Sequence, residues 1–270
     1  MAKLRIGIIG CGAIGKSLAK AILKDFKSKA ELAALYDINP EKSANLVKLI
    51  QRKNLAVSSF GQLIQKSDLV IETASSKASW NIARQVLTKG RDILLMSVGG
   101  VIDKGRQLSR LALKHDAKVY IPSGAICGLD AVKAANIGKI REVVLTTIKN
   151  PKAFKGVEYA MKFNLIGLKA DKILFFGPAK QAVKYFPQNI NVAAALSMAG
   201  IGQVKTKVKI IASPKAKNNI HEIRVLSSAG AITARAQNLL HPDNPKTSYL
   251  AVLSAIATIR QILEPVKIGT

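Results

Sequence analysis

Gly10-Cys11-Gly12-Ala13-Ile14-Gly15 follows an apolar run (Leu4, Ile6, Ile8, Ile9) and opens a stretch with apolar residues at helical spacing (Ile14, Leu18, Ile22). In that context Gly10 permits a tight turn, Gly12 lets the backbone approach a pyrophosphate, and Gly15 lets helix and strand pack closely. The N–H groups of Ala13 and Ile14 then face a diphosphate at the positive end of the helix dipole. A second apolar run, 31–37, ends in Asp37. That is about 20 residues past the loop, where a carboxylate accepts hydrogen bonds from the adenosine ribose. The carboxylate repels a 2′-phosphate, which favours NAD; nearby Lys42 softens that discrimination and leaves NADP open. Asp37-Ile38-Asn39-Pro40 also reads as an Asx-turn, and both roles can hold at once.

A second group centres on His221, in Asn218-Asn219-Ile220-His221-Glu222-Ile223-Arg224-Val225. If this is a strand, alternation puts His221 on one face with Ile223 and Val225. It is then either a satisfied core histidine or a base aimed into a cleft, and the pattern alone leaves both open. His115, near the end of a lysine-rich helix, reads as solvated, and His241, before Pro242-Asp243-Asn244-Pro245, as a loop residue. A third group, Thr146-Thr147-Ile148-Lys149-Asn150-Pro151, ends a strand. Thr147 and Lys149 suit charge-assisted binding of a carboxylate, and a solvated strand end is the bland alternative. Thr247 or Ser248 suits capping of a final helix.

The first half of the chain alternates strand and helix. Apolar runs at 69–71, 93–98 and 119–121 continue a parallel sheet, with helices at 78–87 and 104–113 between them. The pattern predicts an α/β, Rossmann-type, doubly wound parallel sheet, whose ligands bind beyond the C-terminal ends of the strands. Thr73, Ala74 and Ser97 stand at such ends and suit a cofactor trough. After about residue 124 the pattern changes to a helix (129–136), a strand (142–147), a small-residue helix (191–200) and β-like runs at 206–212, 220–226 and 232–236. This predicts a second α+β domain with a mainly antiparallel sheet. The expected domains are 1–123 for the dinucleotide, 124–246 for substrate and dimerisation, and a helix in 247–270 that returns to the first domain.

With 270 residues, 49% of them apolar, the chain can bury two cores. Its two cysteines, Cys11 and Cys127, make neither a disulfide framework nor a four-ligand zinc site, so a reducing, cytoplasmic setting and no metal are expected. Cys11 reads as a packing residue, and no uncharged stretch reaches the length of a membrane span. The balance of 42 Lys and Arg against 16 Asp and Glu, a net +26, raises nucleic-acid binding. The lysines are dispersed, however, and aromatics are 5%, few for stacking on bases. A basic enzyme surface is the reading preferred over a nucleotide-sensing, nucleic-acid-binding protein.

The chain resembles the archaeal-type L-aspartate dehydrogenases over nearly its whole length. The resemblance rests on the glycine loop, Pro122-Ser123-Gly124-Ala125-Ile126-Cys127-Gly128-Leu129-Asp130, Asn191-Val192-Ala193-Ala194-Ala195-Leu196, Asn219-Ile220-His221-Glu222-Ile223, and Pro242-Asp243-Asn244-Pro245-Lys246-Thr247-Ser248. It implies that His221 matches the active-site histidine and that Ala125 and Asn191 contact the nicotinamide cofactor. It further implies oxidation of L-aspartate to iminosuccinate, with hydrolysis to oxaloacetate and ammonia, and the reverse. His221 would act as base toward water, while Thr147 and Lys149 orient the dicarboxylate. Iminosuccinate could feed NAD biosynthesis, and a homodimer would form through the second-domain sheet. The chain departs from the family at Ile148, where many relatives carry a basic residue, and in its high positive charge. A related two-domain oxidoreductase acting on another small anion, such as a semialdehyde or an unsaturated diacid, is the alternative enzyme.

Overall fold

The computed structural model describes residues 2–186, 190–242 and 244–269. The chain divides into two compact units, one of residues 1–122 with 252–268 and the other of 123–251 with 269–270.

The first unit runs β1 (Leu4–Ile9), α1 (Ala13–Asp25), β2 (Ala30–Tyr36), α2 (Pro40–Leu49), α3 (Phe60–Lys66), β3 (Leu69–Glu72), α4 (Ser76–Thr88), β4 (Asp92–Leu95), α5 (Gly105–Lys114) and β5 (Val119–Tyr120). Its five strands lie in the order β2-β1-β3-β4-β5, every pair parallel, which is the doubly wound arrangement. Ile6, Ile8, Leu69, Ile71 and Leu94 are fully buried in the central strands, as a sheet covered on both faces requires. Leu18 and Ile22 of α1 close one side of that core. Two helices went unread in the sequence, and side chains explain their starts. Asn39 Oδ1 accepts the Glu41 N–H with Pro40 in the first turn of α2, and Ser59 Oγ accepts the Gln62 N–H at α3.

The second unit contains α6 (Leu129–Ile137), β6 (Ile140–Lys149), β7 (Lys172–Pro178), α7 (Ala179–Tyr185), α8 (Ile190–Ala199), α9 (Gly202–Lys205), β8 (Lys207–Ala212), β9 (Asn219–Ser227), β10 (Gly230–Asn238), β11 (Leu240–His241) and β12 (Asn244–Ser248). Its main sheet has the order β10-β9-β6-β8-β7. All its pairings are antiparallel except β6 with β8. β11 and β12 form a small separate hairpin, so His241 belongs to a strand and is buried, edge-on to the Tyr249 ring, instead of lying in an open loop. The last helix, α10 (Tyr249–Leu263), places Val252, Ala255 and Ile259 in the core of the first unit. No helix among the described residues is long and apolar enough to cross a membrane.

Candidate active site

The inner face of the second sheet changes character along its length. On β6, Val143, Leu145, Thr147 and Lys149 alternate inward and are all buried; on β9, Val225, Ile223 and His221 do the same. Antiparallel register pairs Val143 with Val225, Leu145 with Ile223 and Thr147 with His221. One end of this face is therefore hydrocarbon and the other carries a hydroxyl, an imidazole and an ammonium. Thr147 Oγ1 lies 2.9 Å from His221 Nδ1.

Burial governs the charges in this cluster. His221 is pushed down to about 3, by desolvation first and then by the neighbouring Lys149 charge, so its ring is neutral at physiological pH. Lys149 is pushed down to about 8 by desolvation. Among the described residues no carboxylate pairs with its ammonium. A buried cation without a counter-ion is costly and normally finds a partner.

In the first unit the glycine loop is held from three sides. Gly10, at φ +96°, donates its N–H to Tyr36 O, and a Cβ there would fall 2.6 Å from the Thr73 carbonyl. Thr73 Oγ1 donates to Gly10 O at 2.6 Å and also lies 3.1 Å from Ile9 O. Thr73, expected from sequence at the cofactor trough, thus uses its hydroxyl to clasp the loop. Gly15 packs directly on the Gly10 carbonyl, leaving no room for a side chain. Asp37 is buried: one carboxylate oxygen accepts the Cys11 N–H at 2.8 Å and the other the Asn39 N–H at 2.9 Å. The Asx-turn is therefore present, and each oxygen keeps a lone pair for a ribose hydroxyl. The Cys11 thiol, pushed up to about 12 by burial first and by Asp37, is a packing group.

The remaining sequence-derived residues fall in separate places. The Ala74 and Ser97 N–H groups donate to the Glu72 carboxylate. Ala125 is buried, and its carbonyl accepts Nδ2 of Asn238 at 2.9 Å; Asn191 stands exposed near the start of α8.

Residues 130–262 match the family model "Aspartate dehydrogenase, C-terminal", and residues 10–122 match "Homoserine dehydrogenase, NAD binding domain". L-aspartate dehydrogenase of Methanosarcina barkeri is 45% identical, over 99% of this chain and 100% of that protein. The Methanococcus maripaludis enzyme of the same name is 43% identical at the same coverage. The chain belongs to the aspartate dehydrogenase family. Among solved structures, aspartate dehydrogenase from Thermotoga maritima superposes with a TM-score of 0.78 at 27% identity, covering 99% of this chain and 100% of that one.

For an aspartate dehydrogenase the cofactor is NAD(P), and the first unit fits it. A Cβ on Gly12 meets no atom within 4 Å, so the loop leaves open space where a diphosphate needs it. The N–H groups of Ala13, Ile14 and Gly15 at the start of α1 have no acceptor among the described residues, and Gly12 provides no side-chain cap.

Two residues of this aspartate dehydrogenase escaped sequence reading. Glu72 closes the apolar strand Leu69–Glu72 with a carboxylate, a visible but unused cue. Asn238 ends β10, and its buried Oδ1 has no partner among the described residues. Nothing in its sequence surroundings distinguishes it.

Proposed function

We propose that the protein is an NAD(P)-dependent L-aspartate dehydrogenase whose substrate is held at the polar end of the β6–β9 face. The observation that carries this reading is the buried Lys149 ammonium, lacking an acidic partner among the described residues, beside a neutral imidazole braced by Thr147. A dicarboxylate supplies the missing counter-charge. Its approach also favours the protonated forms of both side chains, since nearby anions raise the pKa of each.

NAD(P), which residues 10–15 and Asp37 would hold, would supply the hydride acceptor for the substrate Cα. Overall, L-aspartate, NAD⁺ and water give oxaloacetate, ammonia, NADH and a proton, by way of iminosuccinate. His221 serves the hydrolytic half. In the tautomer with the proton on Nδ1, Thr147 Oγ1 accepts that N–H and leaves the Nε2 lone pair to take a proton from attacking water. In the direction of amination the same nitrogen returns it. Thr147 acts by fixing the ring, and Lys149 by binding a carboxylate through a charge-assisted hydrogen bond. The loops of residues 10–15, Asp37, Thr73, Ala74, Ser97, Ala125 and Asn191 hold the dinucleotide in this reading.

The outer face of the same sheet supports a homodimer. Ile220, Ile148, Ile211 and Ile173 stand in register across four strands, and Ile173 and neighbouring Phe176 are exposed. A second copy of the chain would cover this row, and Ile211→Asp should shift sedimentation from dimer to monomer. Two free cysteines suit a reducing cytoplasm, and iminosuccinate suits a place in NAD biosynthesis.

A matrix of substrates and cofactors followed by NAD(P)H absorbance tests the reading. L-aspartate forward, and oxaloacetate with ammonia in reverse, should give the highest rates. Higher rates with a semialdehyde or an unsaturated diacid would overturn it.

A further inference from the structure

Asp37 and Glu72 are two copies of one device. Asp37, just past β2, accepts the N–H two residues on (Asn39) with one oxygen and the N–H of Cys11, in the loop after β1, with the other. Glu72, at the end of β3, accepts the N–H two residues on (Ala74, 2.8 Å) with Oε1 and the N–H of Ser97, in the loop after β4, at 2.9 Å with Oε2. Glu72 is fully buried. Burial pushes its carboxyl above the usual carboxylate range, against the hydrogen bonds from the Ser97 and Ala74 N–H groups, which pull it down.

An apolar side chain would fill this space at lower desolvation cost. What it could not do is satisfy two loop N–H groups beyond the last ladder bonds of β3 and β4, to which no carbonyl of the described residues bonds. A carboxylate spans both. The turn after Ser97 is locked further, because a Cβ on Gly100 would collide with the Ser76 carbonyl and Ser79 Oγ of α4. The segments around Ala74 and Ser97 are thereby fixed to each other and to the start of α4.

Strand order says which part of a dinucleotide meets these segments. The ribose-binding carboxylate follows β2 and the diphosphate loop follows β1, so the molecule crosses the sheet edge from β2 towards β3 and β4. We propose that Glu72 is a positioning residue for the nicotinamide half of the cofactor, holding the loops after β3 and β4 at the spacing that half requires. The inference rests on the dinucleotide reading of the first unit and goes beyond it in assigning a separate residue to each half of the cofactor.

The test uses Glu72→Gln, which keeps the shape but replaces one acceptor oxygen with a donor, and Glu72→Asp, which keeps the charge but is one methylene too short to span both N–H groups. NADH is titrated by fluorescence, ADP by calorimetry, and backbone exchange is followed by mass spectrometry on the cofactor-free protein. Either folded variant should bind NADH about tenfold or more weakly, the loss expected when a buried donor is left unsatisfied. ADP affinity should stay within about twofold, because the adenosine half and its diphosphate belong to the β1–β2 side. Exchange should quicken in peptides covering 73–79 and 96–101 and not in the second unit. Unchanged NADH affinity overturns the proposal, as does parallel loss of NADH and ADP with uniformly faster exchange, which marks a purely structural role. Failure of the wild type to bind NADH would instead refute the dinucleotide reading, and the exchange arm would still report on the clasp.

Discussion

Thr147 Oγ1 and His221 Nδ1 meet at 2.9 Å across β6 and β9, in a register that makes the two residues direct cross-strand partners. Because both side chains are buried, the pair fixes the ring orientation and ties its tautomer to the hydroxyl rotor. Thr147→Val keeps the branched shape and removes the bond. Turnover should fall about 2- to 12-fold, the equivalent of one hydrogen bond, and Thr147→Ser should recover most of it. Equal turnover in the valine variant would remove Thr147 from the positioning of His221.

Lys149 should divide affinity from stability. Lys149→Met removes the counter-charge for a dicarboxylate, so KM for L-aspartate should rise about 10- to 100-fold while NADH affinity holds. The same change deletes a buried unpaired cation and should raise the melting temperature of the protein without ligands. A rise in KM accompanied by a fall in melting temperature would mean that Lys149 is stabilising, contrary to its environment.

The pH dependence of stability follows from the same groups. His221 and Lys149 both have folded-state values below their ordinary ones, so the unfolded chain binds more protons between the two values and stability rises with pH across that window. The window runs from about 3 to 6.5 for His221 and from about 8 to 10.5 for Lys149. Below the lower limit of its window the Lys149 penalty is complete, on the order of 3 kcal/mol. Thermal unfolding should therefore show a gain on the alkaline side that Lys149→Met abolishes. Identical alkaline slopes in the two proteins would contradict a depressed Lys149.

Two glycines of the loop should respond in opposite ways. Gly10→Ala forces a side chain into left-handed backbone and against the Thr73 carbonyl, which should destabilise the fold by about 2–4 kcal/mol. Gly12→Ala meets open space, so melting should change little while NADH binding weakens as the methyl group intrudes on the diphosphate. Loss of stability in both, with NADH affinity intact in Gly12→Ala, would remove Gly12 from the cofactor site.

What the sequence disclosed tracks how local each cause is. The strand–glycine–helix unit and the shared face of His221, Ile223 and Val225 depend on spacing within one element, and both were legible. β7 was not, although its residues are apolar. An irregular register between Ile173 and Phe175 puts Leu174 and Phe175 both inward and destroys the two-residue alternation. The roles of Glu72 and Asn238 depend on which N–H or carbonyl another segment brings within reach, and a single chain pattern does not encode that. His241 was misread because Pro242 and Pro245 announce a turn without revealing that its flanks pair as strands. Part of the 242–248 motif, Asp243, lies outside the described residues.

The central claim is that the imidazole at the polar end of the β6–β9 face moves the proton to and from water in the interconversion of iminosuccinate and oxaloacetate. The most direct measurement compares initial rates of NADH consumption with oxaloacetate and ammonia for the wild type and His221→Ala, with NADH affinity measured alongside. A fall in turnover of about 10²- to 10⁴-fold with NADH affinity preserved is the expected result. Turnover at the wild-type rate in His221→Ala would contradict it.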